Sequence, residues 1–586
     1  MIKKNVKKVY EKIKSNKILC LILVLSAILN IIGITWGLPG FWEIDSMTPR
    51  TLNMAKRMTP FLTEGRQYGH GVFYQYILAA PLFIYYLYLK ATGANLDVDY
   101  INNYFPEFYN TVYILTRLVA VLFGLVAIYF TYKLGKELYD EKVGLLSAFF
   151  LSVSMGFINY AHFATVDMPS IAFALITLFF IVKYLKTGKK RYYFIAGIFV
   201  GVTISTKETT GLVLVYPMII SYFVDIKSIK NLIKKVLKWE WLLIFIFIIL
   251  GYIITTPIIL FQFRYIIEDF YQNIFLVLFN LSAANSSFNS LGLPIGAIRN
   301  VFNIYYSLGP LLFVGALLGF IYTCIKLLKK FNKLVFIVVF WIFIYYSHIA
   351  LLNFAPLRIV LPIIPLFIIF TVKFFFDLVS FKKIFVAVVV LVSVFSVIYA
   401  IETDLMFLND SRAQASKWII NNIPSNSTID LLIDSVYYMP NIPAREKTNT
   451  RLDFVPYTGL IFVDKKPYYH INYFDSVENY SNLKKVGMPT EKEESLMKNY
   501  ICNGSGDYLL ITELHYGRYY NSPDFVEGVH SLRFYSLITE FYDSLLNEKY
   551  GWKIVGDFKE KTWFNPNPAF VNPRITILKK TRVGCN

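Results

Sequence analysis

The chain reads as a polytopic α-helical membrane protein followed by an extracytoplasmic α/β domain, and three observations predict this. Its 586 residues are 56% hydrophobic and 17% charged, which excludes a soluble globular domain of this length. Apolar runs long enough to cross a bilayer recur through the first 401 residues and then stop. Charge divides at the same place: residues 402–586 hold 21 Lys and Arg against 22 Asp and Glu, whereas residues 1–401 hold 37 against 17. The net charge of +19 therefore belongs to the membrane half, where it orients helices, and no nucleic-acid partner is expected.

The first apolar run, Ile18 to Trp36, follows a segment with seven lysines. A cleaved signal peptide looks similar, but no small-residue cleavage site follows. The run is read as a retained first span with its N-terminus inside. Further runs lie at 111–132, 143–160, 170–187, 240–261, 304–326, 334–352, 357–376 and 383–401. Two shorter ones, 192–206 and 209–224, pair tightly around Thr206-Lys207-Glu208. Basic clusters at 133–142, 183–191, 225–240, 326–333 and 373–383 fall between alternate runs. With the N-terminus they hold 27 of the 37 cations of this half. All lie on one side, the cytoplasmic one, if there are eleven crossings.

The run Val72 to Lys90 is also apolar enough to span. A crossing there would put the five cations of 183–191 outside, so it is expected to lie along the outer surface or to re-enter. Its Tyr74, Tyr76, Tyr85, Tyr86 and Tyr88 would then sit at headgroup level. Residues 38–110 become one external loop of a transmembrane domain, 1–401, and residues 402–586 a separate domain outside.

In that outer domain Ser411–Ile420 reads as a helix ended by Asn421-Asn422-Ile423-Pro424. Short β-type runs follow at Thr428–Ile433, Tyr508–Thr512, Trp552–Phe558 and Arg574–Leu578, with a helical stretch at Ser536–Asn547. Cys502 and Cys585 could pair there, while Cys20 and Cys324 lie in apolar runs. No hydrolase elbow, phosphate loop or metal cluster is visible, so this domain is expected to cap the site or select the acceptor.

The functional signal is a pair of acids at the ends of apolar runs. Asp45, with Glu43 two residues before it, lies in the external loop; Asp167 lies in the 161–169 turn on the same face. An acid at the bilayer centre costs about 2.5–3.5 kcal/mol on insertion scales, and less at a helix end, but acids there remain rare and point to function. Among the cations outside the basic clusters, Lys207 sits at the apex of the short pair, Arg117 inside a span and Arg358 at the start of one. A phosphate headgroup in the outer leaflet is the simplest partner for these. Structural alternatives stand beside each reading. Asp45 could cap a helix or pair with Arg50, and Asp167 could cap the span at 170. Lys207 could pair with Glu208, Arg358 could snorkel, and Arg117 could be a partner inside the bundle.

Several motifs then occur in order: Glu43-Ile44-Asp45, Tyr68-Gly69-His70-Gly71, Thr116-Arg117-Leu118 and Ala164-Thr165-Val166-Asp167-Met168-Pro169. Gly201 to Lys207 and Arg358 to Pro365 follow. Over residues 18–400 this order resembles the GT-C superfamily of integral-membrane glycosyltransferases. It is most similar to the dolichyl-phosphate-mannose protein mannosyltransferases and the lipid A aminoarabinose transferases. Two departures stand out. Asp45 is followed by Ser46 where the family often has Asp-Glu, and Gly71-Val72 replaces prolines after His70.

The resemblance implies transfer of a sugar from a polyprenyl-phosphate donor to a glycan, lipid or protein acceptor at the outer face of a cell membrane. Phosphate leaves without a general acid, so one carboxylate suffices as base, and direct displacement inverts the anomeric centre. Asp45 is the candidate base, with Asp167 and Glu43 in the same site. Lys207 and Arg358, then Arg117 and His70, would hold the phosphate. A divalent ion shared by Asp45 and Asp167 is left open. The chain lacks a Trp-Trp-Asp motif, which argues against an oligosaccharyltransferase catalytic subunit, although transfer of another lipid-linked glycan stays as an alternative. A transporter or scaffold is the competing class; a transporter would show repeated halves with helices broken in mid-membrane, and no such repeat is visible.

Overall fold

The computed structural model describes the chain outside residues 1, 39, 41, 44–45, 57–70, 95–104, 227, 261–267, 269–294, 353–355, 379–381, 432–437, 445–459, 463–468, 474–501, 503–505, 515, 517–531 and 582–586. Two compact units emerge. One comprises Met1–Ile34, Asp45–Ser286 and Gly292–Thr403; the other comprises Thr35–Ile44, Ser287–Leu291 and Asp404–Asn586. The short segment Thr35–Ile44 thus goes with the C-terminal unit, which the sequence does not suggest.

The membrane unit opens with α1 (Ile2–Ile31), α2 (Thr48–Lys56), α3 (Val72–Ala91) and α4 (Phe105–Leu138). The run expected at 143–160 is two helices, α5 (Glu141–Ser152) and α6 (Met155–Ala161), bent by 62°. Asp140 starts α5 by accepting the N–H groups of Lys142 and Val143 at 2.9 and 3.0 Å. Next come α7 (Asp167–Thr187), α8 (Lys190–Thr206), α9 (Glu208–Val213), α10 (Val215–Phe223), α11 (Ile229–Val236) and α12 (Leu243–Thr255). After them come α13 (Ile295–Leu308), α14 (Pro310–Lys329) and α15 (Lys333–Ala350). A 3-10 segment, Leu357–Ile363, leads into α16 (Ile364–Asp377), and α17 (Lys382–Leu408) closes the series.

Each of the eleven expected runs carries a helix, but not every helix has the length of a span. Among the described residues seven are long and apolar enough to cross, or eight if the bent pair counts as one. The first run, α8, the Glu208–Phe223 pair and α12 are shorter. One of the seven is α3. It runs antiparallel to α4: the Tyr74 ring lies 6.3 Å from Phe123 and the Tyr85 ring 6.0 Å from Phe108. From its start beside Phe173, α3 therefore climbs towards the N-terminal end of α4, away from the basic loop 183–191.

The two ends of the bundle differ in chemistry. At one, lysines meet acids: Lys183 and Lys186 hold Glu137 at 2.6 and 3.0 Å, and Lys326 and Lys373 hold Asp377 at 2.7 Å. At the other lie the exit of α1, the 161–166 turn, Lys207 and Arg358. Close packing fixes the helices that carry Lys207. A Cβ on Gly201 of α8 would stand 2.0 Å from the Ile248 carbonyl oxygen, and one on Gly251 of α12 would stand 2.2 Å from that of Ile198. Backbone touches backbone, as small residues four apart allow in membrane helices.

In the C-terminal unit α18 (Ser411–Asn422) precedes β1 (Thr428–Leu431), β2 (Ile442–Ala444), β3 (Leu460–Phe462), β4 (His470–Tyr473) and β5 (Tyr508–Thr512). Then come α19 (Leu532–Leu546), β6 (Trp552–Phe558) and β7 (Ile575–Lys580). The main sheet has the order β4-β1-β5-β7-β6, parallel across its first three strands and antiparallel beyond. Alternation along β5 builds two cores. Tyr508 and Leu510 join Ala415 and Ile419 of α18, whereas Leu509 and Ile511 join Phe541 and Leu545 of α19. Among the described residues, α18 packs on one face of this α/β sheet and α19 on the other. Cys502 is disulfide-bonded and Cys20 and Cys324 are free; Cys585 lies outside the described residues.

The glycine contacts generate a contrast. At Gly201 the obstacle is backbone, whereas at Gly197 it is the Ile244 methyl tip at 2.4 Å, which can swing aside. Gly201→Ala is expected to cost about 2 kcal/mol through overpacking, and Gly197→Ala clearly less. Thermal unfolding of the detergent-purified variants reads the difference, and equal midpoints would refute the backbone contact.

Candidate active site

The site starts where α1 ends. Arg117, fully buried in α4, donates from Nη1 to the Ile34 carbonyl at 2.7 Å. The His162 Nε2 lies 2.6 Å from the Ile32 carbonyl and its Nδ1 lies 2.8 Å from that of Ile158. Two side chains from distant helices thus fix the chain as it leaves the first span. Arg117, expected at the phosphate, is engaged by this backbone and also lies 5.7 Å from the Tyr113 ring centroid.

Beyond the acidic segment the chain is caught again. The Met47 N–H donates to the Ala164 carbonyl at 2.9 Å, three residues before Asp167. Thr48, the first residue of α2, shares a hydroxyl contact of 2.7 Å with Thr116, and Ser46 donates to Thr48 at 3.0 Å. Gly71, just before α3, adopts φ +73°, a left-handed conformation that costs a residue with a Cβ roughly 1–2 kcal/mol. A Cβ there would meet Val166 at 2.4 Å, Met47 at 3.2 Å and the Thr206 carbonyl at 3.4 Å. Gly71 is therefore the point where three motif segments converge: 46–47, 164–167 and 206–207.

At that convergence sits an ion pair. Lys207 follows the last residue of α8 and breaks the chain before α9 begins at Glu208, so its side chain projects at the helix ends. Its Nζ donates to Asp167 Oδ1 at 2.7 Å, and Thr165 donates to Oδ2 at 2.8 Å. The carboxylate is nearly sealed, with 2% of its side chain exposed, whereas Lys207 keeps 16%. The acid is thus the more enclosed partner of the two. Asp167 does not cap α7 with its side chain, as one alternative held; it opens the helix as its first residue and gives both oxygens to Thr165 and Lys207. Arg358, in the 3-10 segment ahead of α16, lies within electrostatic reach of the same carboxylate. Tyr345, whose hydroxyl donates to the Ile359 carbonyl at 3.0 Å, holds that segment to α15.

The structure thus brings Asp167, Lys207 and Arg358 together at one end of the bundle and ties the chain after Asp45 to the same turn. Asp45 and His70 themselves lie outside the described residues. Glu43 is buried, at 1% exposure, and belongs with the C-terminal unit. Thr165, Thr116 and the Met47–Ala164 bond were not singled out from the sequence; Thr165 carries a signal in hindsight, standing two residues before an acid. Among the described residues no three His, Cys, Asp or Glu side chains gather for a metal, and Asp167 is already engaged by an ammonium and a hydroxyl. These residues by themselves do not make a metal centre.

Residues 100–254 match the family model described as dolichyl-phosphate-mannose-protein mannosyltransferase. The GT-C resemblance drawn from the motifs agrees with that match, which includes Arg117, Asp167 and Lys207. No curated protein matches the chain. Among solved structures, the chain is similar in fold to the archaeal oligosaccharyltransferase AglB from Archaeoglobus fulgidus in complex with an inhibitory peptide and a dolichol-phosphate. That likeness has 12% identity and a TM-score of 0.49, and covers 94% of this chain and 80% of that one. The Archaeoglobus fulgidus enzyme complexed with Zn and sulfate gives 12%, 0.46, 95% and 88%. ArnT from Cupriavidus metallidurans bound to undecaprenyl phosphate gives 10%, 0.42, 95% and 97%.

Removing one partner of a buried ion pair strands the other charge, at a cost of about 3–5 kcal/mol. Lys207→Met is therefore expected to lower the unfolding midpoint strongly, and Lys207→Met combined with Asp167→Asn to regain most of the loss. A double variant no more stable than the single one would show the pair to be incidental.

Proposed function

We propose that this protein transfers a sugar from a polyprenyl-phosphate-linked donor to an acceptor at the extracytoplasmic face of the membrane, with inversion at the anomeric carbon. The observation that carries the reading is the Asp167–Lys207 pair beside Arg358, with the Met47–Ala164 bond drawing the segment after Asp45 to the same turn. Lys207 and Arg358 hold the donor phosphate, where negative charge develops as the glycosidic bond breaks. Preorganised cations act best there, and losing one such donor typically lowers turnover about 10²–10³-fold. Asp167, sealed behind Lys207, aims the ammonium rather than taking a proton. Asp45 takes the proton of the acceptor hydroxyl as its oxygen attacks.

Orientation follows from charge. The lysine-rich end of the bundle faces the cytoplasm, which places the N-terminus inside and the site outside. The disulfide at Cys502 fits an oxidising compartment for the C-terminal unit. The course of α3 towards the N-terminal end of α4 fits a helix that stays on the outer side.

Purified protein incubated with a panel of radiolabelled polyprenyl-phosphate sugars, with and without chelator, tests the reading. Asp45→Asn is expected to abolish transfer with folding intact, and Lys207→Gln or Arg358→Gln to lower it about 10²-fold or more. Full transfer by Asp45→Asn would reject the base, and transfer unaffected by both cation variants would reject the phosphate clamp. Loss of activity in chelator, restored by a divalent ion, would add a metal to the site.

A further inference from the structure

We infer that α11 (Ile229–Val236) is an interfacial anchor that lies in the membrane plane at the lysine-rich end of the bundle and docks on anionic phospholipid headgroups. The inference is independent of the reaction proposed above. A helix turning about 100° per residue puts Ile229, Leu232, Ile233 and Val236 on one side and Lys230, Asn231, Lys234 and Lys235 on the other. The helix contains no acid, and none of its residues is buried. All four apolar side chains are exposed, Ile229 at 77%. Eight residues are too few to hold a helix in water, where even about 12–15 are marginal. Something must cover the stripe.

The rest of the membrane unit fixes α11 but leaves that side open. Just before it, Asp225 is held at 2.8 Å by Lys333, which follows Lys326 at the lysine-rich end. Lys235 turns inward, donating to the Tyr222 carbonyl of α10 and resting 4.8 Å from the Tyr222 ring centroid. At the other end the Trp241 indole N–H donates to the Val236 carbonyl at 2.8 Å, and its ring lies 6.2 Å from that of Phe223. The open stripe runs on through exposed Leu237 and Trp239 to exposed Ile246 and Ile249 of α12. One apolar surface therefore joins α11 to the flank of a membrane helix. Tryptophan at such a junction suits the boundary between acyl chains and headgroups. Lys230, Lys234 and Lys238 are exposed on the side away from the stripe. An anionic leaflet answers both faces at once: the acyl boundary takes the stripe and the phosphates take the ammonium groups.

The test uses full-length protein without the two free cysteines, Cys20 and Cys324, reconstituted in vesicles and spin-labelled in turn at Ile229→Cys, Ile233→Cys, Lys230→Cys and Lys234→Cys. All four positions are exposed, so labelling spares the core. Labels at 229 and 233 are expected about 5–10 Å below the phosphates, open to oxygen and shielded from a nickel chelate, and labels at 230 and 234 the reverse. Four labels that behave alike overturn the in-plane helix. Labels at 229 and 233 shielded from both reagents show a protein occupant and overturn it too. A bimane on Ile233→Cys, quenched by brominated phosphatidylglycerol or brominated phosphatidylcholine at equal mole fraction, then reads which lipid lies against the stripe. Phosphatidylglycerol is expected to be preferred, by about fivefold for each lysine that reaches the headgroups. Lys230→Gln, Lys234→Gln and Lys238→Gln together are expected to erase that preference. Equal quenching by the two lipids in the wild type, or an unchanged preference in the triple variant, overturns the docking on anionic headgroups.

Discussion

A carboxylate at the first turn of a membrane helix stays charged only if a cation is brought to it. Here the cation comes from Lys207, 40 residues away at a helix break, and the 2.7 Å contact is sealed on the Asp167 side. Desolvation would otherwise drive the acid to its neutral form or out of the bundle. Much of the site follows from serving this pair. Thr165 takes the second carboxylate oxygen, Gly71 lets three segments close around it, and Arg358 adds a further positive charge nearby. The same arrangement separates two carboxylate roles. An acid locked to a lysine is a poor base, which is why the proposal gives proton transfer to the acid of the preceding loop.

The second unit is built in part from a short segment of the early chain. The C-terminal unit gathers Trp36 and Trp42 around Arg412 and Asp410, residues some 370 positions later in the chain.

Much of this was legible in the residues, for physical reasons. Lysine clusters spaced between apolar runs constrained the crossings, and the α/β character of the last 185 residues showed in its short β-type runs, with β1, β5, β6 and β7 close to where they were expected. Lys207 and Asp167 stood out because charge is costly at membrane depth. Other parts were hidden. The strands β2 and β3 span three residues, too few for alternation to show, and the four of β4, His470–Tyr473, carry no apolar run. The bend between α5 and α6 falls at Val153-Ser154, with neither Pro nor Gly to announce it. Arg117 stood out because an arginine in a span is rare, but that its Nη1 would hold a backbone carbonyl at a helix exit was not legible. No local pattern could reveal that residues 36 and 42 belong with residue 412.

The glycine seam between α8 and α12 has a mechanical corollary. Where main chains touch, neither helix can rotate or slip by even part of a turn without collision. Lys207 follows Gly201 by six residues, about 9 Å of helix rise. The seam therefore works as a depth gauge: it sets the height along the bundle at which the ammonium emerges, and under the proposed function that height is the level at which a lipid-borne phosphate would be met.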